Sequence, residues 1–325
     1  MTTRTTTGLG SGLRAAFGII LLLAGSTAAL ATVAGFFGSL WWGFDLAADY
    51  RFVYLTVAVV CAVLYGLTFG RGMAAVFAAA AVVNAFVVAP LWLASQPRPA
   101  TDTGVTLATY NAQRKAGTQD RIVEWLRREP ADIVVIQETT SAWTPVFERA
   151  ELPYRIVLAP EERVVFGTTI LAKVEASAKE TEIVATKVIE MEATVDGVPV
   201  VVYVAHPRRP GSAVEADARL RLFAALADLA AERAGPTIVA GDLGTTRWSH
   251  AFATLTADGV LRSSEDGFGY QPTWPTMSWP IVGRYAGIPV DHVLLSPGLT
   301  ASERRVGPQL GTDHLPVVVD VRPAG

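Results

Sequence analysis

The most informative segment of the chain is Thr237-Ile238-Val239-Ala240-Gly241-Asp242-Leu243-Gly244-Thr245-Thr246-Arg247-Trp248. It opens with a short, mostly β-branched run bounded by glycine, which is typical of an interior strand. Gly241 lets the backbone turn, so we expect the side chain of Asp242 to project from the edge of a sheet, where catalytic groups often lie. Alternatively, Asp242 could cap a helix that begins near Trp248.

Other predicted strands also carry polar or acidic groups at their ends or starts: Asn111, Glu138, His206, Asp291, Asp313 and His314. The strands are predicted from short apolar runs, such as residues 133–136 and 200–205. Taken alone, a Glu or His in such a place is more often a loop or structural residue. Their repeated position at strand ends, in the manner of Asp242, instead predicts one common site.

The first hundred residues have the composition of a membrane anchor. The 325-residue chain is 51% hydrophobic, and the apolar excess lies in residues 17–37, 52–69 and 72–93, which contain no Asp, Glu, Lys or Arg. Each segment is long enough to cross a bilayer as a helix, so we predict three transmembrane helices. A cleaved signal peptide is the alternative for the first, but two further apolar spans follow it.

The charges beside these spans predict their orientation. Arg4 and Arg14 precede the first span and Arg71 lies between the second and third, whereas the loop after the first span carries two Asp and one Arg. By the positive-inside rule, the amino terminus is cytoplasmic. Three spans then place the rest of the chain outside the cytoplasm, at the cell membrane.

The composition changes after a short proline-containing linker at residues 95–100. We therefore predict a membrane anchor over residues 1–100 and a globular α/β domain over residues 101–325. The domain carries 22 Lys and Arg against 28 Asp and Glu, a balance that disfavours nucleic acid as a partner. The single cysteine, Cys61, lies in a predicted span, which excludes a disulfide framework or a thiolate zinc site in the domain.

Carboxylate and amide oxygens together with two histidines suit a divalent cation beside a phosphate group. Mg²⁺ binds through one or two carboxylates and takes other ligands from substrate phosphate, so Mg²⁺ or Mn²⁺ is the expected cofactor. A further carboxylate can align or deprotonate water, and a His held by an Asp can donate to a phosphate oxygen. Arg208 and Arg209 follow His206 after one proline; an arginine pair is usually a solvated loop, but close to this histidine it suits phosphate. Trp274 either walls the cleft or covers the core.

The order of these motifs resembles the endonuclease/exonuclease/phosphatase superfamily, the deoxyribonuclease I-like fold, across nearly all of residues 101–323. The resemblance rests on Tyr110-Asn111, Gln137-Glu138, His206-Pro207, Gly241-Asp242, Asp291-His292 and Asp313-His314. It implies an α/β (α+β) four-layer sandwich of two facing mixed sheets flanked by helices, with the site at one edge. Membrane-anchored bacterial members look especially similar.

The resemblance also implies roles. Positions that bind or support the metal match Glu138, Asn111 and Asp313, and positions that contact the substrate match Asn111 and His206. Asp242 matches the acid that positions the attacking water. Asp291 and His314 match an Asp–His pair that faces the phosphate.

One position departs from the family pattern Gly-Asp-x-Asn, because Gly244 stands in the place of the Asn. Removing one preorganised donor of this kind can lower the rate by ~10²- to 10³-fold. Thr245, Thr246 or Arg247 could supply the donor instead.

We therefore expect a membrane-anchored, divalent-metal-dependent phosphoesterase, either a phosphodiesterase or a phosphatase, that acts outside the cytoplasm. Tethering favours a substrate in the bilayer, such as a phospholipid or polyprenyl phosphate. The alternative is a binding or scaffold module of the same fold that has lost turnover, motivated by Gly244. A nuclease is a more distant alternative, because the domain is acidic and lacks interleaved basic and aromatic segments.

Overall fold

The computed structural model describes residues 7–115, 117–129, 131–161, 167–195, 197–275 and 286–325. The chain divides into two compact units, Met1–Ala89 and Pro90–Gly325. This division falls before Pro90, whereas the sequence predicted a domain boundary after residue 100. Arg4, one of the charges behind the predicted orientation, lies outside the described residues.

The first unit is helical, with α1 (Thr7–Ala34), a 3₁₀ turn (Gly35–Phe37), α2 (Trp42–Ala48), α3 (Arg51–Thr68) and α4 (Arg71–Val88). Three segments among the described residues are long and apolar enough to cross a membrane: Ser11–Phe37, Arg51–Thr68 and Arg71–Leu93. They correspond to the three predicted spans. Buried Asn84 donates to Thr32 Oγ1 at 2.7 Å, so this polar group joins two apolar helices.

The second unit contains the remaining helices and strands. In chain order they are α5 (Pro90–Leu93), β1 (Val105–Asn111), α6 (Gln119–Arg128), β2 (Ile133–Thr139), α7 (Thr144–Arg149), β3 (Arg155–Leu158), β4 (Gly167–Ala172), β5 (Ala176–Ile183), β6 (Thr186–Val195), β7 (Val198–Ala205), α8 (Ala213–Glu232), β8 (Thr237–Asp242), α9 (His250–Leu255), β9 (Arg262–Ser263), β10 (Asp291–Leu295), β11 (Leu299–Val306) and β12 (Val317–Pro323). Short 3₁₀ turns lie at Ser141–Trp143 and Ala257–Gly259.

The described strands form two six-stranded sheets, ordered β11-β12-β1-β2-β4-β3 and β5-β6-β7-β8-β10-β9. Both sheets are mixed, because β1 runs parallel to β2 and β7 runs parallel to β8 within otherwise antiparallel pairings. In the second sheet Asp291 lies directly opposite Asp242. The register therefore brings two of the predicted site residues together at one strand end.

The sheets face each other across a buried apolar core, to which Ile133, Val202 and Val319 belong. Helices α6 and α7 cover the outer face of the first sheet through residues such as Leu126. Helices α8 and α9 cover the second through residues such as Phe223. This arrangement is the predicted four-layer sandwich.

Helix α8 begins at Ala213. The start is fixed by side-chain caps: the backbone N–H of Glu215 donates to Ser212 Oγ at 3.3 Å, and the Glu215 carboxylate accepts from Gly211 N at 2.8 Å. The cap anchors the chain just after the segment that contains His206, Arg208 and Arg209.

Candidate functional site

The ends of β1, β2 and β8 meet at one edge of the sandwich, and Asn111 joins them. Its amide nitrogen donates to Glu138 Oε1 at 3.0 Å and to Asp242 Oδ2 at 2.9 Å. Asn111 and Glu138 belong to the first sheet and Asp242 to the second. The amide therefore holds two carboxylates, one from each sheet, on either side of itself.

The side chain of Gln137 stabilises the same edge through two hydrogen bonds to the other sheet. Its side-chain nitrogen donates to the carbonyl of Ala205 at 3.0 Å, and its side-chain oxygen accepts from Asp242 N at 2.8 Å. Position 241 requires glycine, because its φ is +134° and a Cβ there would lie 2.3 Å from the carbonyl oxygen of Ala205. The sequence marked Gln137 only as part of a motif; a Gln that ends a buried apolar run was the available signal.

A bulge directs Glu138 towards the cleft. The pairing of β2 with β4 shifts register between Gln137 and Thr139, and Glu138 has a φ of +55°. A non-glycine residue in this region carries strain of ~1–3 kcal/mol, which surrounding structure must offset. Such bulges commonly re-aim a side chain next to a functional site.

Asp242 also belongs to a second cluster at the same edge, together with two residues that face Asn111 and Glu138. We name Asp242, Asp291 and His314 the cleft cluster. His314 Nδ1 lies 2.9 Å from Asp291 Oδ2, while its Nε2 lies 3.6 Å from Asp242 Oδ2. Burial alone would lower the pKa of His314, but the charge and hydrogen bond of Asp291 outweigh it and raise the pKa to about 9. The ring is therefore an imidazolium at neutral pH.

His206 lies on the other side of Asp242. Its Nε2 is 3.5 Å from Asp242 Oδ2 and 3.7 Å from Glu138 Oε1. Burial opposes the charged form, but hydrogen bonding and charge from Asp242 and then the charge of Glu138 raise the pKa of His206. Burial would likewise raise the pKa of Asp242, yet the His206 hydrogen bond and the charge of His314 hold it well below its usual range. Asp242 is thus a carboxylate between two histidines.

The cleft cluster also has the spacing of a metal site, since ligand atoms of all three residues lie within 4.8 Å of one another. A metal ion at this place would compete with the hydrogen bond between His314 Nδ1 and Asp291 Oδ2. Among the described His, Cys, Asp and Glu residues, the predicted ligands Glu138 and Asp313 do not form part of such a group.

One carboxylate oxygen of Asp313 is hydrogen-bonded to Trp274. The Trp274 Nε1–H donates to Asp313 Oδ2 at 3.0 Å, and the ring centroids of Trp274 and His314 are 6.4 Å apart. The other oxygen, Asp313 Oδ1, has no hydrogen-bond partner among the described residues. Of the two interpretations of Trp274, the structure supports the one in which it walls the cleft.

The resulting cleft has a volume of about 640 Å³. Its lining includes Glu138, His206, Arg208, Arg209, Glu215, Asp242, Gly244, Trp274 and His314. The Arg209 guanidinium lies over Trp274, 5.2 Å from the ring centroid, and Arg208 is more exposed. The arginine pair therefore borders the cleft and does not form a remote solvated loop.

The three residues that could compensate for Gly244 do not line the cleft among the described residues. Thr245 donates its hydroxyl to Ser249 at 2.7 Å, Thr246 is fully buried, and Arg247 pairs with Asp266 at 2.6 Å. Ser249 caps the helix that begins at His250. Asp242 is therefore not the cap of this helix, which removes the alternative interpretation of its position.

Thr273 and a buried group of three residues have positioning roles that the sequence did not predict, although His292 stands in the Asp291-His292 motif. Thr273 Oγ1 accepts from the backbone N–H groups of Val290 and Asp291 at 3.1 and 3.2 Å, which holds the start of β10. The buried group, Glu265, His292 and Arg304, we name the rear cluster. No local pattern marks it, because its members come from three separate segments.

The rear cluster is fully buried beside the cleft. His292 Nδ1 and Arg304 Nη2 lie 3.8 and 3.6 Å from Glu265 Oε1, and His292 Nε2 lies 2.8 Å from the carbonyl of Thr245. Arg304 Nη2 also approaches the carbonyl of Asp291, at 3.5 Å. Burial lowers the pKa of His292, although the charge of Glu265 opposes this. This histidine is neutral, in contrast to His314.

Comparison with known proteins agrees with this geometry. The model of the Endonuclease/Exonuclease/phosphatase family matches residues 108–314. No curated protein shows a significant match. Similar solved structures include humanized D. rerio TDP2, with 13% identity over 67% of this chain and 99% of that one and a TM-score of 0.56.

Two further structures are similar at comparable coverage. An endonuclease/exonuclease/phosphatase from Beutenbergia cavernae shares 17% identity over 69% of this chain and 72% of that one, with a TM-score of 0.53. A mannosyl-6-phosphatase from Bacteroides thetaiotaomicron shares 15% identity over 67% and 99%, with a TM-score of 0.50. At these identities the likeness concerns the fold alone.

Proposed function

Because the chain belongs to the endonuclease/exonuclease/phosphatase family, we propose that it is a membrane-anchored, divalent-metal-dependent phosphoesterase, either a phosphodiesterase or a phosphatase. The observation that carries the proposal is the Asn111 amide, which holds Glu138 and Asp242 at the cleft, opposite the Asp291–His314 pair. Members of this family are hydrolases that act on phosphate esters.

The protein groups suit attack by water on phosphorus. The Asp242 carboxylate, with its lowered pKa, accepts a hydrogen bond from water and aligns it. His314 is held by Asp291 through Nδ1, and its Nε2 lies 3.6 Å from Asp242 and 3.7 Å from Asp313. Because these separations exceed hydrogen-bond distance, the Nε2–H is able to donate to a phosphate oxygen placed beside it.

Glu138, supported by Asn111, and Asp313 are the residues that would hold Mg²⁺ or Mn²⁺. The donor set fits such an ion: both side chains offer hard oxygens, and Asp313 Oδ1 is a buried atom without a hydrogen-bond partner among the described residues. A bound ion would neutralise charge on the phosphate and orient it for in-line attack.

The proposal includes a site of action outside the cytoplasm. Its support is the presence of three apolar helical spans together with the basic residues that flank them on one side. A tethered enzyme meets bilayer substrates at high local concentration, so a phospholipid or polyprenyl phosphate is the proposed substrate class. A reporter that works only outside the cytoplasm, fused to the carboxyl terminus, should give signal; a signal from a cytoplasm-only reporter would overturn this part.

A binding module is the second candidate function, favoured by the absence of a donor side chain at Gly244 and by the positions of Thr245 and Arg247 away from the cleft. A nuclease is the third. The similar structures include a Neisseria meningitidis 3'-5' exonuclease as well as a phosphatase, but the acidic balance of this domain disfavours a nucleic-acid substrate.

The deciding experiment uses the full chain purified in detergent. It is assayed with Mg²⁺ or Mn²⁺ against a generic phosphodiester, a generic monoester, a phospholipid phosphate, a polyprenyl phosphate and single-stranded DNA. We expect hydrolysis of at least one phosphate ester, lost in excess chelator, restored by the metal and strongly reduced in Asp242→Asn. Glu138→Gln should raise the metal concentration needed for half-maximal activity. Absence of hydrolysis across the whole panel would favour the binding module, and full activity in chelator would exclude the metal-dependent mechanism.

A further inference from the structure

Gly244 leaves an open place in the wall of the cleft, and the segment after His206 borders that place. A Cβ built on Gly244 would lie 3.7 Å from Arg209 Cβ and from the Pro207 carbonyl oxygen, with no closer neighbour. The turn itself is held firmly: Gly244 N donates to Asp242 Oδ1 at 2.9 Å, and Arg219 Nη1 lies 3.4 Å from the Gly244 carbonyl. The Arg209 side chain therefore begins next to the place that a side chain at position 244 would occupy.

The far end of Arg209 is also in the cleft. Its guanidinium lies over the Trp274 ring, and Trp274 is fixed by its hydrogen bond to Asp313. The Arg209 side chain therefore extends across the cleft from the Gly244 turn to the Trp274 wall. A guanidinium over an aromatic face directs its N–H donors outward in its own plane, in a fork that matches two phosphate oxygens.

The negative charge of the carboxylates in the cleft favours a cationic donor beside the phosphate. The described lining of the cleft brings the carboxylates of Glu138 and Asp242 close to the phosphate position, and the nearby histidines are engaged with acids: His206 with Glu138 and Asp242, and His314 with Asp291. A phosphate dianion entering the cleft must overcome repulsion from these carboxylates. A further cation beside the phosphate position offsets this repulsion directly.

We propose that Arg209 replaces the amide that Gly244 lacks: its guanidinium, held against Trp274, donates to the non-bridging oxygens of the substrate phosphate. The inference rests on the proposed function, since it names the group that holds the phosphate of that reaction. It also accounts for how a phosphoesterase can work with glycine at position 244.

The first test removes the guanidinium. In the full chain with Mg²⁺, Arg209→Ala should lower kcat/KM by ~10²- to 10³-fold, the cost of one preorganised donor. The affinity for inorganic phosphate, measured by calorimetry, should fall as well. Arg209→Lys should recover only part of the loss, because an ammonium lacks the planar fork. The matched control is Arg221→Ala, which removes the same charge from an exposed pair with Asp217 on α8 and should change neither quantity.

The second test restores an amide. Gly244→Asn should raise kcat/KM at least tenfold in the Arg209→Ala background and change it little in the presence of Arg209. Gly244 has a φ of +64°, where Asn is among the better tolerated side chains. Gly244→Ala imposes comparable backbone strain without an amide, so it should not rescue Arg209→Ala.

These outcomes separate the two proposals. If the wild type hydrolyses a phosphate ester but Arg209→Ala matches it in kcat/KM and in phosphate affinity, the role of Arg209 is wrong and the proposed function stands. Rescue by Gly244→Ala equal to that by Gly244→Asn would also contradict it, because packing would then explain the effect. If the wild type hydrolyses nothing, the proposed function fails, and phosphate affinity alone decides whether Arg209 binds the anion.

Discussion

The cleft cluster and the rear cluster contain two histidines that the sequence presents in the same way, as Asp291-His292 and Asp313-His314. Their environments are opposite. His314 lies between Asp291 and Asp242 and has a pKa raised to about 9, whereas burial lowers the pKa of His292. One histidine is a cation at the cleft, and the other is a neutral residue in the core.

The difference arises from strand geometry. Successive side chains in a strand point to opposite faces, so His292 packs against Phe252 of the outer helix layer, with ring centroids 4.9 Å apart. Asp291 instead pairs with His314, which lies in the segment just before β12 of the other sheet. The Asp291–His314 pair therefore forms between segments distant in sequence and not within either dipeptide. An Asp next to a His in sequence is thus weak evidence that the two act together.

The largest expected effect is at the cleft cluster. Asp291→Asn keeps the shape of the side chain but removes the charge that holds His314 as a cation, so kcat should fall by ~10²- to 10⁴-fold. Steady-state kinetics on the full chain with Mg²⁺ would measure the loss, with the melting temperature recorded alongside. An active, well-folded Asp291→Asn variant would show that the two clusters do not differ in catalytic importance.

The next effect is on stability, at the rear cluster. Arg304→Met leaves Glu265 buried without its cation, and breaking such a pair on one side costs ~3–5 kcal/mol. Chemical denaturation followed by near-ultraviolet circular dichroism would report it. The double variant Arg304→Met, Glu265→Leu should regain most of the loss. If the single variant were as stable as the wild type, the rear cluster would not be a structural ion pair.

A smaller effect is expected at His292. In His292→Phe the Thr245 carbonyl loses its hydrogen bond, so the free energy of unfolding should fall by ~1–3 kcal/mol while kcat stays close to that of the wild type. The same assay pair as for Asp291→Asn applies. A large loss of kcat without loss of stability would place His292 in the chemistry and remove the distinction between the clusters.

The smallest effect is a pH dependence. His292 has a lowered pKa in the folded chain, because burial and Arg304 oppose its charge more than Glu265 and Asp291 favour it. Its unfolded value is ~6.5, so the unfolded state binds the proton first and this contribution to stability declines as pH falls below that value. The stability difference between wild type and His292→Phe should therefore shrink from pH 7 to pH 5. A constant difference would mean that His292 does not titrate on unfolding in this range.

The sequence was sufficient for the parts of the site that depend on strand ends. Asn111, Glu138, Asp242, Asp291 and His314 lie together because each ends or precedes a strand that apolar runs make recognisable. The four-layer fold was predicted through the family resemblance. The first turn of α8 is marked by the capping residues Ser212 and Glu215, so apolar periodicity alone does not locate its start.

The features of the site that the sequence did not predict depend on contacts between residues far apart in the chain. Arg304 lies in a strand between exposed Glu303 and half-buried Arg305, and nothing local indicates that it reaches Glu265 inside the protein. The hydrogen bond of Asp313 to Trp274 and the position of Arg209 over that ring likewise depend on how distant loops meet. The individual roles of the site residues remain predictions for the experiments above.

The Gln137 amide has a mechanical consequence. It donates to β7 and accepts from β8, while its own strand lies in the other sheet. Sliding one sheet over the other by a single residue, ~3.3 Å, would break both bonds and leave buried donors and acceptors without partners. The two sheets are therefore locked against shear at the floor of the cleft. A substrate that enters the cleft therefore meets a floor whose width is set by the two sheets together.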